Sequence, residues 1–211
     1  MLIRRRGLLA ALPLVPAASA QVRAQAPTWT PDRPIRLLVG FAAGGSTDTT
    51  ARIIGQAISP GLGQSVVIEN RTGAGGNVAS EHVARSPADG YTLVMGSLGT
   101  HGTNQALYPT LSFHVVRDFA AVSLVAYSYS LVVVHPSVPV RTLAELVAYA
   151  KANPGKLNAG TGGGGSSQHF AASMFEHAAD VKFTLVHYRG GAPATADLVA
   201  GRVDLIFAPT V

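Results

Sequence analysis

Residues 37–54 read LLVGFAAGGSTDTTARII, and the junction inside this stretch decides the fold. Apart from Arg36, the chain from Ile35 to Phe41 is apolar without polar alternation, as expected for a strand covered on both faces. Ala42-Ala-Gly-Gly45 follows, and then Ser46 or Thr47 can cap a helix running to Leu62, with Asp48 in its first turn. A strand that opens through glycines into a helix is one βα unit. The glycines let something approach the backbone closely: a catalytic oxygen, a phosphate, a carboxylate or another turn of chain.

The same unit recurs downstream. Residues 65–69 predict a second strand, followed by the turn-rich Asn70-Arg-Thr-Gly-Ala-Gly-Gly-Asn77 and a helix over 77–85. Ser86 to Gly90 closes that helix, and 91–95 predicts a third strand. The pattern loosens over 99–118, and two apolar segments follow, 120–127 and 130–134. From Thr142 the alternation resumes: a helix over 142–152, a short strand near 157–159, the loop Gly160-Thr-Gly-Gly-Gly-Gly-Ser-Ser167, and a helix over 167–178. A strand over 181–188, a helix over 192–200 and a strand over 203–207 complete the series. Strands alternating with helices at this spacing imply a mainly parallel α/β architecture. Two lobes are expected, 27–122 and 123–211, with the crossover near 120–130.

The first twenty residues stand apart. Arg4, Arg5 and Arg6 precede an apolar run too short to span a membrane, and Ala18-Ser-Ala20 is a small-residue cleavage pattern. Residues 1–20 are read as an export signal, with a second cut position after Ala26. Arg5-Arg6-Gly-Leu-Leu also fits a twin-arginine signal. Without those three arginines, thirteen basic residues face eleven acidic ones. No Lys/Arg block remains, so nucleic acid and anionic membranes are not expected partners. The chain has no cysteine, which excludes disulfides and thiolate metal sites. Later apolar runs are broken by Gly, Pro or charge, so the exported product is expected in solution.

Both glycine loops end at a predicted helix start, where backbone N–H groups lack partners and the helix dipole favours negative charge. The chemistry offered is anion capture by backbone. Enzyme signatures fit less well. Gly160-Thr-Gly-Gly-Gly-Gly165 satisfies G-x-G-x-x-G, but a run this rich in glycine does so almost automatically, and the strand expected to carry a ribose-binding acid reads Val181-Lys-Phe-Thr. Ser166 stands where a Walker loop needs Lys. Ser46 is followed by Thr47-Asp48, which does not make a G-x-S-x-G elbow. The seven histidines form no H-E-x-x-H pattern. His101 and His169 lie beside Gly/Ser/Thr loops and could donate to a carboxylate. Asp48 can be a ligand contact or a first-turn acid. Ser166 and Ser167 can be contacts or N-caps, Phe41 crevice or core, and Arg189 the partner of a second carboxylate or a surface residue. No catalytic residue, metal site or cofactor is assigned.

Several stretches resemble one family. Trp29-Thr-Pro-Asp-Arg-Pro-Ile-Arg-Leu37 and Phe41-Ala-Ala-Gly-Gly-Ser-Thr-Asp48 are similar to the opening of the tripartite tricarboxylate transporter substrate-binding proteins, also called the Bug family. Val66 to Asn77 and Ser86-Pro-Ala-Asp-Gly-Tyr-Thr-Leu93 resemble its next signatures. Asn104-Gln-Ala-Leu-Tyr108, Arg117-Asp-Phe119, Lys151-Ala-Asn-Pro-Gly-Lys156, Tyr188-Arg-Gly-Gly-Ala-Pro193 and Gly201-Arg-Val-Asp-Leu-Ile-Phe207 keep the family order. The resemblance implies a periplasmic receptor of the Venus-flytrap, periplasmic-binding-protein-like fold, a monomer whose two α/β lobes close on a small carboxylate. Its partners would be the membrane permease subunits of such a transporter. Carried onto this sequence, the ligand loops are Phe41, Ala42, Ala43, Gly44, Gly45, Ser46 and Asp48; then Thr100 and His101; then Gly164, Gly165, Ser166, Ser167 and His169. Position 40 is Gly where the family usually has Pro, and the second-lobe loop is unusually rich in glycine. Family members also continue beyond Val211 with a segment returning to the first lobe, so a C-terminally truncated form is expected. The rival expectations are a non-functional fragment of such a receptor and an exported α/β hydrolase or oxidoreductase.

Overall fold

In the computed structural model, which describes residues 29–210, the strand of the opening stretch lies at the centre of a sheet. β1 (Ile35–Val39) is flanked by β2 (Val66–Asn70) and β3 (Thr92–Val94), both parallel to it. Leu37 registers against Ile68 on one side and Leu93 on the other. Leu38 and Val39 are fully buried, which explains the absence of a polar alternation in the sequence.

Parallel neighbours need a crossover, usually a helix. α1 (Ser46–Leu62) joins β1 to β2, and α2 (Asn77–Ala84) joins β2 to β3. α1 stops at Gly63, whose φ of 65° is left-handed and whose amide donates to the Pro60 carbonyl. Ser59 fixes the next strand: its hydroxyl donates to the Gly55 carbonyl at 2.6 Å and accepts from the Val66 amide at 3.1 Å.

After the short α3 (Asn104–Leu107), the chain runs to a second sheet. Its elements are β4 (Ser130–Val134), α4 (Leu143–Ala152), β5 (Asn158–Thr161), α5 (Ser167–Ala179), β6 (Thr184–His187), α6 (Gly191–Val199) and β7 (Leu205–Pro209). The strand order is β4-β7-β5-β6. β5 is parallel to β6 and β7, whereas β4 runs antiparallel to β7 at the edge. The parallel expectation therefore holds except at β4, which is reached by an irregular link with no crossover helix. α4 begins with a full capping box: Thr142 Oγ1 accepts from the Glu145 amide, and the Glu145 carboxylate accepts from the Thr142 amide.

The second sheet is covered on both faces. Leu205 and Phe207 of β7 pack with Leu146, Ala150, Ala172 and Phe183, and the Phe175 and Phe183 rings stack at 6.0 Å. Ile206, pointing the other way, packs with Ala194, Leu198 and Val203. The link before β4 is different: Val122, Leu124, Tyr127 and Tyr129 are all exposed. Of the two apolar segments expected there, only 130–134 forms a strand.

From Pro31 onward the chain forms one compact unit in which the two sheets are successive in sequence. The expected signal over 1–20 lies outside the described residues. Among the described residues, no helix is long and apolar enough to cross a membrane.

Leu38→Ala in the central strand should cost about 2–5 kcal/mol of unfolding free energy, the range for emptying a full core site. Val67→Ala in the neighbouring strand, at a position 44% exposed, should cost less than about 1 kcal/mol. Urea unfolding of both variants checks the contrast.

Candidate functional site

Four strand ends open through glycine-rich loops into helix N-termini, and these loops meet. Residues 40–45 lead from β1 to α1, 71–76 from β2 to α2, 162–166 from β5 to α5, and 188–190 from β6 to α6. Between them lies a crevice of about 200 Å³, lined by Gly40 and Phe41, by Gly73 to Gly76, by Gly162 to Gly164, and by Tyr108, Tyr188 and Arg189. Ligand crevices at the carboxyl ends of parallel strands follow from the topology, because every crossover helix then starts there.

The first loop is held from behind. Asp48 is 2% exposed, and both carboxylate oxygens are occupied. Oδ2 accepts from the Gly44 amide and Arg52 Nε, both at 2.9 Å, while Oδ1 accepts from Arg52 Nη2 at 3.0 Å and Asn70 Nδ2 at 2.8 Å. Asn70 Nδ2 also donates to the Phe41 carbonyl. Burial pushes the Asp48 carboxyl up, but the bonds from Arg52, the Gly44 amide and Asn70 outweigh it and hold the group below its ordinary value. Of the two roles open to Asp48 in the sequence, the structure supplies the structural one: a clamp on the loop.

Helix caps differ in a systematic way. Neither Ser46 nor Thr47 caps α1. The chain is still extended at Gly45 (φ −79°, ψ 167°), which becomes the N-cap, and Ser46 is already helical. A side chain at Gly45 would lie 3.7 Å from the Gly191 amide nitrogen, at the start of α6. α2 starts from Gly76 and α6 from Gly190, and none of these three caps makes a side-chain bond. Of the four helices that start at the crevice, only α5 is capped by a side chain, Ser166 Oγ accepting from the His169 amide at 3.2 Å; Ser167 is its first helical residue.

The glycines also serve a purpose the sequence left open. Gly75 (φ 63°) faces the Gly164 carbonyl so closely that any Cβ would collide with it. Gly99 stands against the Gly165 carbonyl in the same way, and Gly40 against the backbone of Gly76. Tyr108 donates to the Gly164 carbonyl at 2.9 Å, Thr103 to the Gly165 carbonyl at 3.3 Å, and the Ala42 amide to the Arg189 carbonyl at 2.9 Å. Backbone from the first sheet's loops therefore packs directly on backbone from the second's.

Thr100, His101 and His169, expected at the ligand, stand behind the crevice lining. Thr100 is fully buried; its hydroxyl engages the Ser97 amide and His101 Nδ1, both at 2.9 Å. The His101 ring packs edge-on against Phe119, and burial lowers its pKa. Neither lines the crevice, because both sit in the π-helical Gly99–Thr103 turn that braces Gly76. His169 Nδ1 accepts from the Gly165 amide at 3.0 Å, which places the ring proton on Nε2. Burial, and then the neighbouring His187 ring at 5.0 Å, lower the His169 pKa. Asp48, Thr100, His101 and His169 thus shape the loops. Of the residues expected at the ligand, Phe41 and Gly164 line the crevice, whereas Ala42 to Ser46, Gly165, Ser166 and Ser167 are not in its lining.

Sequence reasoning left out Gly73 to Gly76, Tyr108 and Tyr188 as site residues, although Gly73-Ala-Gly-Gly76 is a glycine run between a strand and a helix like the two it did select. It also left out Asn104, fully buried, whose Nδ2 donates to the Gly75 carbonyl and Asn77 Oδ1. Arg189, exposed in the crevice wall, is the only charged residue in the lining. Among the described residues no group of three His, Cys, Asp or Glu could hold a metal ion. The arrangement offers amide donors, helix N-termini and one guanidinium, which suits capture of an anion.

Gly75→Ala should be destabilising by about 1–3 kcal/mol, the usual range for overpacking, because a new Cβ meets fixed backbone; chemical denaturation measures it. Asp48 makes a second test. Its folded pKa lies below the unfolded value, so its contribution is fully present above about pH 4 and is lost as the pH falls through the folded value. Unfolding free energy followed from pH 5 downward should therefore fall less steeply in Asp48→Asn than in the native chain.

Comparison with known proteins agrees with this geometry. The model of the tripartite tricarboxylate transporter family receptor matches residues 50–211. The UPF0065 protein in the tcbD-tcbE intergenic region of Pseudomonas sp. (strain P51) is 40% identical over 204 residues, 97% of this chain and 60% of that protein. Among solved structures, R. palustris Rpa4515 with adipate is 40% identical with a TM-score of 0.82, covering 85% of this chain and 60% of that one. MatC (Rpa3494) from Rhodopseudomonas palustris with bound malate is 36% identical with a TM-score of 0.81, covering 85% and 61%. The chain spans about 60% of the length of these relatives. It belongs to the tripartite tricarboxylate transporter receptor family.

Proposed function

We propose that this chain is a periplasmic solute-binding receptor that captures a small organic carboxylate and presents it to the membrane permease subunits of a tripartite tricarboxylate transporter. One observation carries the proposal. α1, α2 and α6 all start at glycine N-caps without a side-chain cap bond, around one crevice whose single charged lining residue is cationic. First-turn amides have no intrahelical acceptor, and the dipole adds partial positive charge at the same place. A ligand carboxylate supplies the acceptor that the sequence withholds.

In this reading the backbone of Phe41 to Ser46 and of Gly162 to Ser166 meets the ligand, while Asp48, Thr100, His101 and His169 hold those loops in place. Residues 27–122 and 123–211 act as two lobes, one per sheet, that close on the ligand. The acid–base groups nearest the crevice are already committed: Asp48 to Arg52 and Asn70, His169 to the Gly165 amide. That favours binding without turnover. Two related structures, solved with adipate and with malate, point to the same ligand class. Export through the signal over 1–20 places the receptor in the periplasm.

Thermal unfolding of the full chain with a panel of small carboxylates tests the proposal. An acid at about a hundred times its dissociation constant should add about 2.7 kcal/mol, and the corresponding neutral amide should add none. Equal shifts with acids and amides, or no shift with any acid, would sink the carboxylate reading.

A further inference from the structure

We propose that Arg189 sets the charge of the ligand: its guanidinium takes a second carboxylate, so that the crevice prefers a dicarboxylate to the monocarboxylate of the same length. This rests on the carboxylate reading and adds the residue that discriminates within that class.

Arg189 is presented by a rigid piece of backbone. On one side Tyr188 is fixed twice, its amide donating to the Thr161 carbonyl at 3.0 Å and its hydroxyl to Asp197 Oδ2 at 2.7 Å. The Arg189 carbonyl itself accepts from the Ala42 amide at 2.9 Å. Gly190 follows with φ 149°, packed against the Ala42 backbone so that any side chain there would strike its nitrogen. The residue is thus held where loops of both sheets meet, in the crevice wall.

Its side chain is uncommitted. Seven of the nine arginines among the described residues make an ion pair within 4.0 Å: Arg33, Arg36, Arg52, Arg71, Arg85, Arg117 and Arg202. Arg189 makes none there. Asp197, the carboxylate that Tyr188 engages, is already matched by Arg202 Nη1 at 2.9 Å. A guanidinium is a planar fork suited to bidentate carboxylate bonds. The helix N-termini and Arg189 are separate sources of positive potential, each suited to one carboxylate. A ligand with one carboxylate satisfies the amides and leaves the fork unpaired. Sites built to pair a polar group discriminate against analogues that lack it.

Isothermal titration of the full chain is the test, with succinate, glutarate and adipate set against butyrate, valerate and hexanoate. The native chain should bind the best diacid at least about tenfold more tightly than its monoacid counterpart. Arg189→Gln should weaken diacids at least about tenfold more than monoacids. Arg189→Lys, which keeps the charge but not the fork, should fall between. Melting temperatures should stay the same in both variants, because no bond in the fold uses this side chain. Equal affinity for the two series in the native chain, or an equal loss for both in Arg189→Gln, overturns the role of Arg189 and leaves the carboxylate reading standing. Binding of neither series overturns both.

Discussion

Gly75 lies against the carbonyl of Gly164, and the site depends on that contact. It joins a loop of the first sheet to a loop of the second without any side chain between them. Tyr108, Thr103 and the Ala42 amide then bond across the same seam. A β-carbon at Gly75 would force the loops apart and change the width of the crevice that both of them line. Glycine here permits a close approach, and its left-handed φ would in any case strain another residue.

Side chains with recognisable chemistry serve mainly to fix this backbone surface. The Asp48 carboxylate closes a four-bond clamp on the first loop, and His169 holds the Gly165 amide of the second. Thr100 and His101 brace each other in the turn behind Gly76. A surface made of amides and glycine Cα atoms can recognise a carboxylate by its charge and by the number of its acceptors. It carries little information about the rest of the ligand, which leaves that to the few side chains in the wall: Phe41, Tyr108, Tyr188 and Arg189.

Much of the fold was legible in the sequence because its determinants are local. Leu37 to Val39 is unalternating because both faces of β1 are covered there. The helix expected from Thr142 forms, with Thr142 as its cap. Gly63 ends α1 where a left-handed residue is needed. Local cues misplaced the N-cap of α1 at Ser46 or Thr47, since a hydroxyl at a helix start resembles a cap while Gly45, held near the start of α6, takes the position. They also gave no warning that β4 would run antiparallel, because strand direction is set by which distant strand it joins.

For the site, sequence alone determined the kind of chemistry on offer: glycine loops at helix starts and no cysteine. Only the tertiary structure decided which residues line the crevice. It turned Thr100, His101 and His169 to supporting roles, added Gly73 to Gly76 and Tyr108, and brought Arg189 into the crevice wall. The reason is geometric. A loop's glycines follow from its own backbone, but whether a neighbouring side chain points into a crevice or away from it depends on where four separate strand ends converge.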